Sequence, residues 1–110
     1  MRKTFFVDTL GNYPRIKILD FLMENNSESW TLVEIMKNSK VGYATLKYTM
    51  PLLLKKKIVL IDKKVGKAKL YKINTKNEAI KHLMAFDWAL IKQATSTSRV
   101  YTSRGGYPSV

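Results

Sequence analysis

Apolar residues recur along this chain first at helical spacing and then, over one short stretch, with the alternation of strands. Pro14 to about Glu24 predicts a helix. Proline suits its first turn, and Ile18, Leu19, Phe21 and Leu22 give it a core face before Asn25-Asn26-Ser27 ends it. Thr31-Leu32-Val33-Glu34 has the form of a capping box, so a short helix should run from Leu32 to about Asn38 with Leu32, Ile35 and Met36 on one face. Turn-forming residues from Asn38 to Gly42 break that pattern, and another helix begins at Gly42 or Tyr43. At about 100° per residue, Tyr43, Leu46, Met50, Leu53 and Leu54 share a narrow arc, with Ala44, Thr45, Lys47, Tyr48 and Lys55 opposite. Pro51 inside this helix should cost about 3 kcal/mol and is expected to kink it or stop it near Tyr48.

The period then shortens to two. Ile58 to Ile61 is apolar and β-branched, Lys63 to Lys67 reads as a turn, and Ala68 to Ile73 alternates, which together predict a hairpin with lysines at its tip. Glu28-Ser29-Trp30 is expected as a third strand with Trp30 in the core. Residues 1–11 are too apolar for a solvated tail and too short for an independent element, so they should pack on the core or on a partner subunit.

Beyond Asn74 to Asn77, Glu78 to Ala94 reads as a long helix whose apolar arc spans about 200°, twice the width one packed face needs. Either the helix sinks into a groove of its own chain or it pairs with a second copy. Pairing is the favoured expectation, with Ile80, Leu83, Met84, Trp88, Leu90 and Ile91 at the interface. Asp87 lies within the arc and would need a donor such as a lysine or tyrosine. Residues 95–110 lack periodicity and acids and read as a flexible tail, leaving 1–94 as one domain.

Charge sharpens this outline. Across 110 residues, 20 Lys and Arg stand against 8 Asp and Glu, and from Lys37 to Lys76 twelve lysines face the single acid Asp62. A lysine-rich surface that served only stability would interleave glutamate; an unmixed patch instead favours a polyanion. There is no cysteine, which excludes disulfides and thiolate metal sites. No apolar run approaches the roughly 20 residues of a membrane span, and a cytoplasmic protein without membrane contact is expected. His82 is the one histidine and has Glu78 one turn before it, a helix-surface pair rather than a metal site. Gly66-Lys67 belongs to no phosphate-cradling loop, and no Ser/His/Asp set can be assembled. Neither catalysis nor a cofactor is expected.

Helix, turn, helix with a free face, then basic hairpin is the order of a winged helix-turn-helix. The runs Asn12 to Leu22, Val41 to Leu46 and Val65 to Asn74 resemble the small archaeal winged-helix transcription regulators, over residues 12 to about 92. Gly66-x-Ala68-x-Leu70-Tyr71-x-Ile73-Asn74 is the most specific part, while Gly42 stands where such sequences often have serine. The resemblance implies a dimeric DNA binder. The fold class expected is α/β, mostly α: a three-helix core, a β-hairpin wing and a long C-terminal dimerisation helix. On double-stranded DNA, Tyr43, Ala44, Thr45, Lys47 and Tyr48 would face base edges and flanking phosphates. Lys63, Lys64, Lys67 and Lys69 would form the wing contacts, with Arg15 on a further phosphate. A replication or plasmid-partition protein, an architectural DNA coat and a protein-interaction module using the apolar C-terminal helix are the alternatives.

Overall fold

The computed structural model describes residues 4–98, and side chains as far as residue 94. The elements follow in the order α1 (Phe5–Leu10), α2 (Pro14–Glu24), α3 (Leu32–Ser39), α4 (Tyr43–Lys55), β1 (Val59–Val65), β2 (Ala68–Ile73) and α5 (Glu78–Ser98). The fold is mostly helical, with a two-stranded antiparallel hairpin after the core helices, an arrangement compatible with a winged helix. Phe6, Ile18, Leu22, Met23, Ile35, Leu46, Met50, Val59, Ile73 and Ile80 form one shared core.

The N-terminal segment is a helix after all. Thr4 accepts from Val7 N at 3.1 Å, capping α1, and donates to Asp20 Oδ1 at 3.0 Å, which ties the short helix to α2. Six residues would not hold a helix alone; burial of Phe6 and Val7 supplies what length does not. At the end of α2, the Asn26 side-chain amide donates to Met23 O, a carbonyl that helix termination leaves open, and the Asn25 amide adds a second donor to Phe21 O, which already accepts from Asn25 N.

The capping box at α3 is formed in both directions, Glu34 N to Thr31 Oγ1 at 3.2 Å and Thr31 N to Glu34 Oε1 at 2.9 Å. Lys40 closes α3 in the left-handed region at φ 61°, and its carbonyl accepts from Lys17 Nζ at 3.2 Å. After buried Val41, Gly42 starts α4 without a side-chain cap.

The early stop expected as one outcome of Pro51 does not occur: α4 runs on through Tyr48 to Lys55. Leu46, Met50 and Leu53 are buried on both sides of the proline, so packing offsets the missing bond. Pro51 and Lys47, whose carbonyl loses its partner, are both exposed, and water can meet that carbonyl. A Schellman motif closes the helix, with Ile58 N on Leu53 O at 3.0 Å and Lys57 N on Leu54 O at 2.9 Å. Lys57 itself is left-handed, φ 61°, where glycine is usual. Its carbonyl accepts from both Asn74 Nδ2 (2.9 Å) and Asn77 Nδ2 (3.0 Å), joining the end of α4 to the start of α5.

The hairpin differs from the sequence reading at its tip. Lys63 and Lys64 belong to β1, and the turn is only Gly66-Lys67, with Gly66 at φ 62°. Positive φ at the first central residue alone is the signature of a II′ turn. The register runs Val59 with Ile73, Leu60 with Lys72 and Ile61 with Tyr71, then slips so that Lys63 meets Leu70, Lys64 meets Lys69 and Val65 meets Ala68. Asp62 is the extra residue of a β-bulge. The expected third strand shrinks to one bridge, Trp30 N to Tyr71 O at 2.8 Å and Tyr71 N to Trp30 O at 2.7 Å. Trp30 is half-buried, its ring 5.0 Å from that of Phe21.

In α5, Asn77 caps the start through Ile80 N at 3.1 Å, and Glu78 pairs with Lys81 at 3.2 Å rather than with His82. The helix continues to Ser98, so residues 95–98, read as tail, extend it; the rest of the tail, 99–110, lies outside the described residues. Ile80 and Ile91, expected to face a second copy, are 2% and 3% exposed within their own chain. α1 packs against α5, and that contact, invisible while α1 was not read as an element, covers part of the wide arc. Asp87 is fully buried.

A left-handed lysine carries a steric cost that glycine lacks. Lys57→Gly is therefore expected to raise stability by about 1 kcal/mol. Thermal unfolding would register a rise of about 4–8 °C; an unchanged midpoint would show that the motif holds Lys57 without strain.

Candidate nucleic-acid interface

The apolar arc of α4 is buried through Leu46, Met50 and Leu53, which turns the rest of its first two turns outward. Ala44, Thr45 and Lys47 are exposed, Tyr48 is 71% exposed and Tyr43 45%. Tyr43 falls on the apolar arc in sequence but begins the helix beyond the reach of the core. Its ring instead lies under Lys47 Nζ at 5.8 Å from the centroid, a cation–π contact that pre-positions the ammonium group on the exposed face. Thr49, polar by type, points inward and is buried.

Lys63, Lys64, Lys67 and Lys69 are all exposed along the hairpin. The hairpin meets α4 in a groove of about 330 Å³ lined by Thr31, Leu32, Val33, Tyr43, Lys67, Ala68, Lys69 and Tyr71. Of the expected contact residues, the groove brings together Tyr43 of α4 with Lys67 and Lys69 of the hairpin; Ala44, Thr45, Lys47, Tyr48, Lys63 and Lys64 lie outside it. No carboxylate lines it, and the nearby Glu34 is engaged by Thr31 N. Tyr71 lines the groove, and burial, then the neighbouring Tyr43, push its hydroxyl above the ordinary pKa.

Arg15 is exposed at the start of α2, whereas Lys17 one turn end further in is occupied by the Lys40 carbonyl. Val33 was missed from the sequence: it is 46% exposed at the groove, and its position off the Leu32, Ile35 and Met36 face was the available signal. Val65, at 62% exposure, puts an apolar side chain beside the hairpin turn.

On α5 the remaining expected interface residues, Leu83, Met84, Trp88 and Leu90, are half-buried in their own chain. Phe86, on the same arc, is 40% exposed. Among the described residues no group of three His, Cys, Asp or Glu is placed to hold a metal, and no helix is long and apolar enough to cross a membrane.

For Tyr71, the pKa direction carries a sign. Its neutral form is favoured in the folded chain, so its contribution to stability is complete below the ordinary value of 10.0 and is lost as pH rises through the higher folded value. Denaturant unfolding at pH 8 and pH 11 should show Tyr71→Phe gaining on the wild type at the higher pH. A constant difference would mean that the hydroxyl titrates normally.

No protein-family model and no curated protein matches the sequence. Among solved structures, the chain is similar to the crystal structure of Rv0081 from M. tuberculosis, with a TM-score of 0.55 and 20% identity, covering 87% of this chain and 90% of that one. At that identity the likeness is one of fold.

Proposed function

We propose that this chain is a transcription regulator of the small archaeal winged helix-turn-helix kind, which binds double-stranded DNA sequence-specifically as a homodimer in the cytoplasm. The observation that carries this reading is the single surface on which the exposed face of α4 adjoins a carboxylate-free groove and a hairpin bearing four exposed lysines. In this reading α4 enters the major groove. Its first two turns present Tyr43, Ala44, Thr45, Lys47 and Tyr48 to base edges, where lysine donates to guanine acceptors and the alanine and threonine methyls meet thymine. The hairpin is the wing, and its lysines with Arg15 meet phosphates, which sets orientation rather than sequence. Its role is binding, with no catalysis and no cofactor.

Helix and wing should fail differently. Lys47→Ala or Tyr48→Ala removes contacts worth about 1 to 3 kcal/mol of discrimination, so affinity should fall on a selected duplex and hold on a scrambled one. Lys64→Ala with Lys67→Ala should weaken both duplexes alike. For the unaltered dimer, about three phosphates per subunit give a log–log salt slope near −5. A slope near zero would remove the nucleic-acid reading, and equal losses on both duplexes for the helix variants would favour an architectural coat.

Pairing through α5 is proposed at the part of its arc still open, exposed Phe86 with half-buried Leu83 and Leu90 one turn to either side. Phe86→Glu avoids the buried Ile80 and Ile91 and should sediment as a folded monomer. A persistent dimer would place the interface elsewhere.

A further inference from the structure

The register of the hairpin sets Lys64 directly opposite Lys69. Opposed residues share a face of the ladder and alternate along it, so this pair lies on the same side as Ile61 with Tyr71 and Val59 with Ile73. That side is the core-facing one, because Val59, Tyr71 and Ile73 are buried. The two lysines therefore continue the inner face of the wing outward, past the point where the protein covers it. Lys63, one residue before Lys64, falls on the other face against Leu70. Lys67 and Lys69 line the groove to which Tyr43 and Tyr71 contribute their rings.

Like charges directly opposed across two strands destabilise a hairpin. Among the described residues no carboxylate is ion-paired with either lysine: Glu34, near the groove, accepts from Thr31 N, and Asp62, the only acid between Lys37 and Lys76, drops out of the ladder at the bulge. The arrangement is unfavourable for the free protein and favourable for one whose wing holds an anion.

We propose that Lys64 and Lys69 clamp one phosphodiester group of the DNA backbone at the mouth of the groove beside Tyr43, and that this phosphate relieves a repulsion built into the free wing. This rests on the DNA-binding reading and refines it: one phosphate, held jointly by both lysines, fixes the distance between wing and α4. Tyr43 and Tyr71 line the same groove, and a phenolic O–H is a donor that adds no positive charge.

Free protein and complex test this separately. Lys64→Gln should raise the unfolding midpoint of the free protein by about 1–4 °C, and Lys63→Gln, which removes the same charge from the opposite face, should raise it less. Pyrophosphate should stabilise the wild type above chloride at equal ionic strength. That gain should vanish in Lys64→Gln with Lys69→Gln and survive in Lys81→Gln. In duplex titrations, sharing one phosphate means that the double variant shallows the salt slope of a dimer by about 2; lysines on separate phosphates would give about 4. Methylphosphonates placed singly along the duplex should weaken the wild type at each contacted phosphate, about three per half-site, and just one of those positions should become insensitive in the double variant. A midpoint that is unchanged or lowered by Lys64→Gln, an equal pyrophosphate response in wild type and double variant, or a slope change near 4 would overturn the clamp. Absence of duplex binding at any salt would instead overturn the DNA reading, with the midpoint and pyrophosphate measurements still deciding whether the lysines form an anion site.

Discussion

Two backbone hydrogen bonds between Trp30 and Tyr71 fix the relation on which the candidate interface depends. They attach the residue just before the α3 capping box to β2 of the hairpin, so the start of α3 and the hairpin are joined directly through the backbone. Tyr71 acts in two directions. Its backbone holds Trp30, and its ring closes the groove beside Tyr43 at the first turn of α4. Trp30 in turn packs its ring on Phe21 of α2, so the junction is seated on the core rather than left as a surface contact.

A second junction works from the other end of the hairpin. The Lys57 carbonyl, turned outward by the left-handed residue that ends α4, receives both Asn74 and Asn77. Asn77 also caps α5. The base of the wing, the end of α4 and the start of α5 thus share one small polar network, and a change in the direction of α5 would be felt where the wing begins. If the proposed pairing through α5 holds, such coupling would transmit it to the spacing of the two candidate interfaces.

Much of this was legible because it is local. The capping box, Pro14 at a helix start and the division of α4 into buried Leu46, Met50 and Leu53 against outward Thr45, Lys47 and Tyr48 all follow from residues within a turn or two of one another. What escaped depends on distant partners. Thr4 stabilises α1 through Asp20, sixteen residues away, and α1 then covers surface on α5 that looked surplus in isolation. An early stop at Pro51 was expected as one outcome because its local cost is fixed, while the packing that offsets it is tertiary. The slip at Asp62 has no signature in the alternation of β1, yet it decides which lysine of the Lys63-Lys64 pair faces the helices.

That same bulge bears on how the protein behaves at high concentration. Trp30 covers part of the outer edge of β2, whereas β1 pairs on one side only, and an apolar run such as Val59 to Ile61 on an edge strand would favour strand addition by another chain. The extra residue interrupts the flat edge of β1 immediately after this run, and Lys63 and Lys64 follow with charges that repel a second copy of themselves. Lysines that weaken the hairpin from within thereby guard it from aggregation, and neutralising them all would trade a steadier wing for a stickier one.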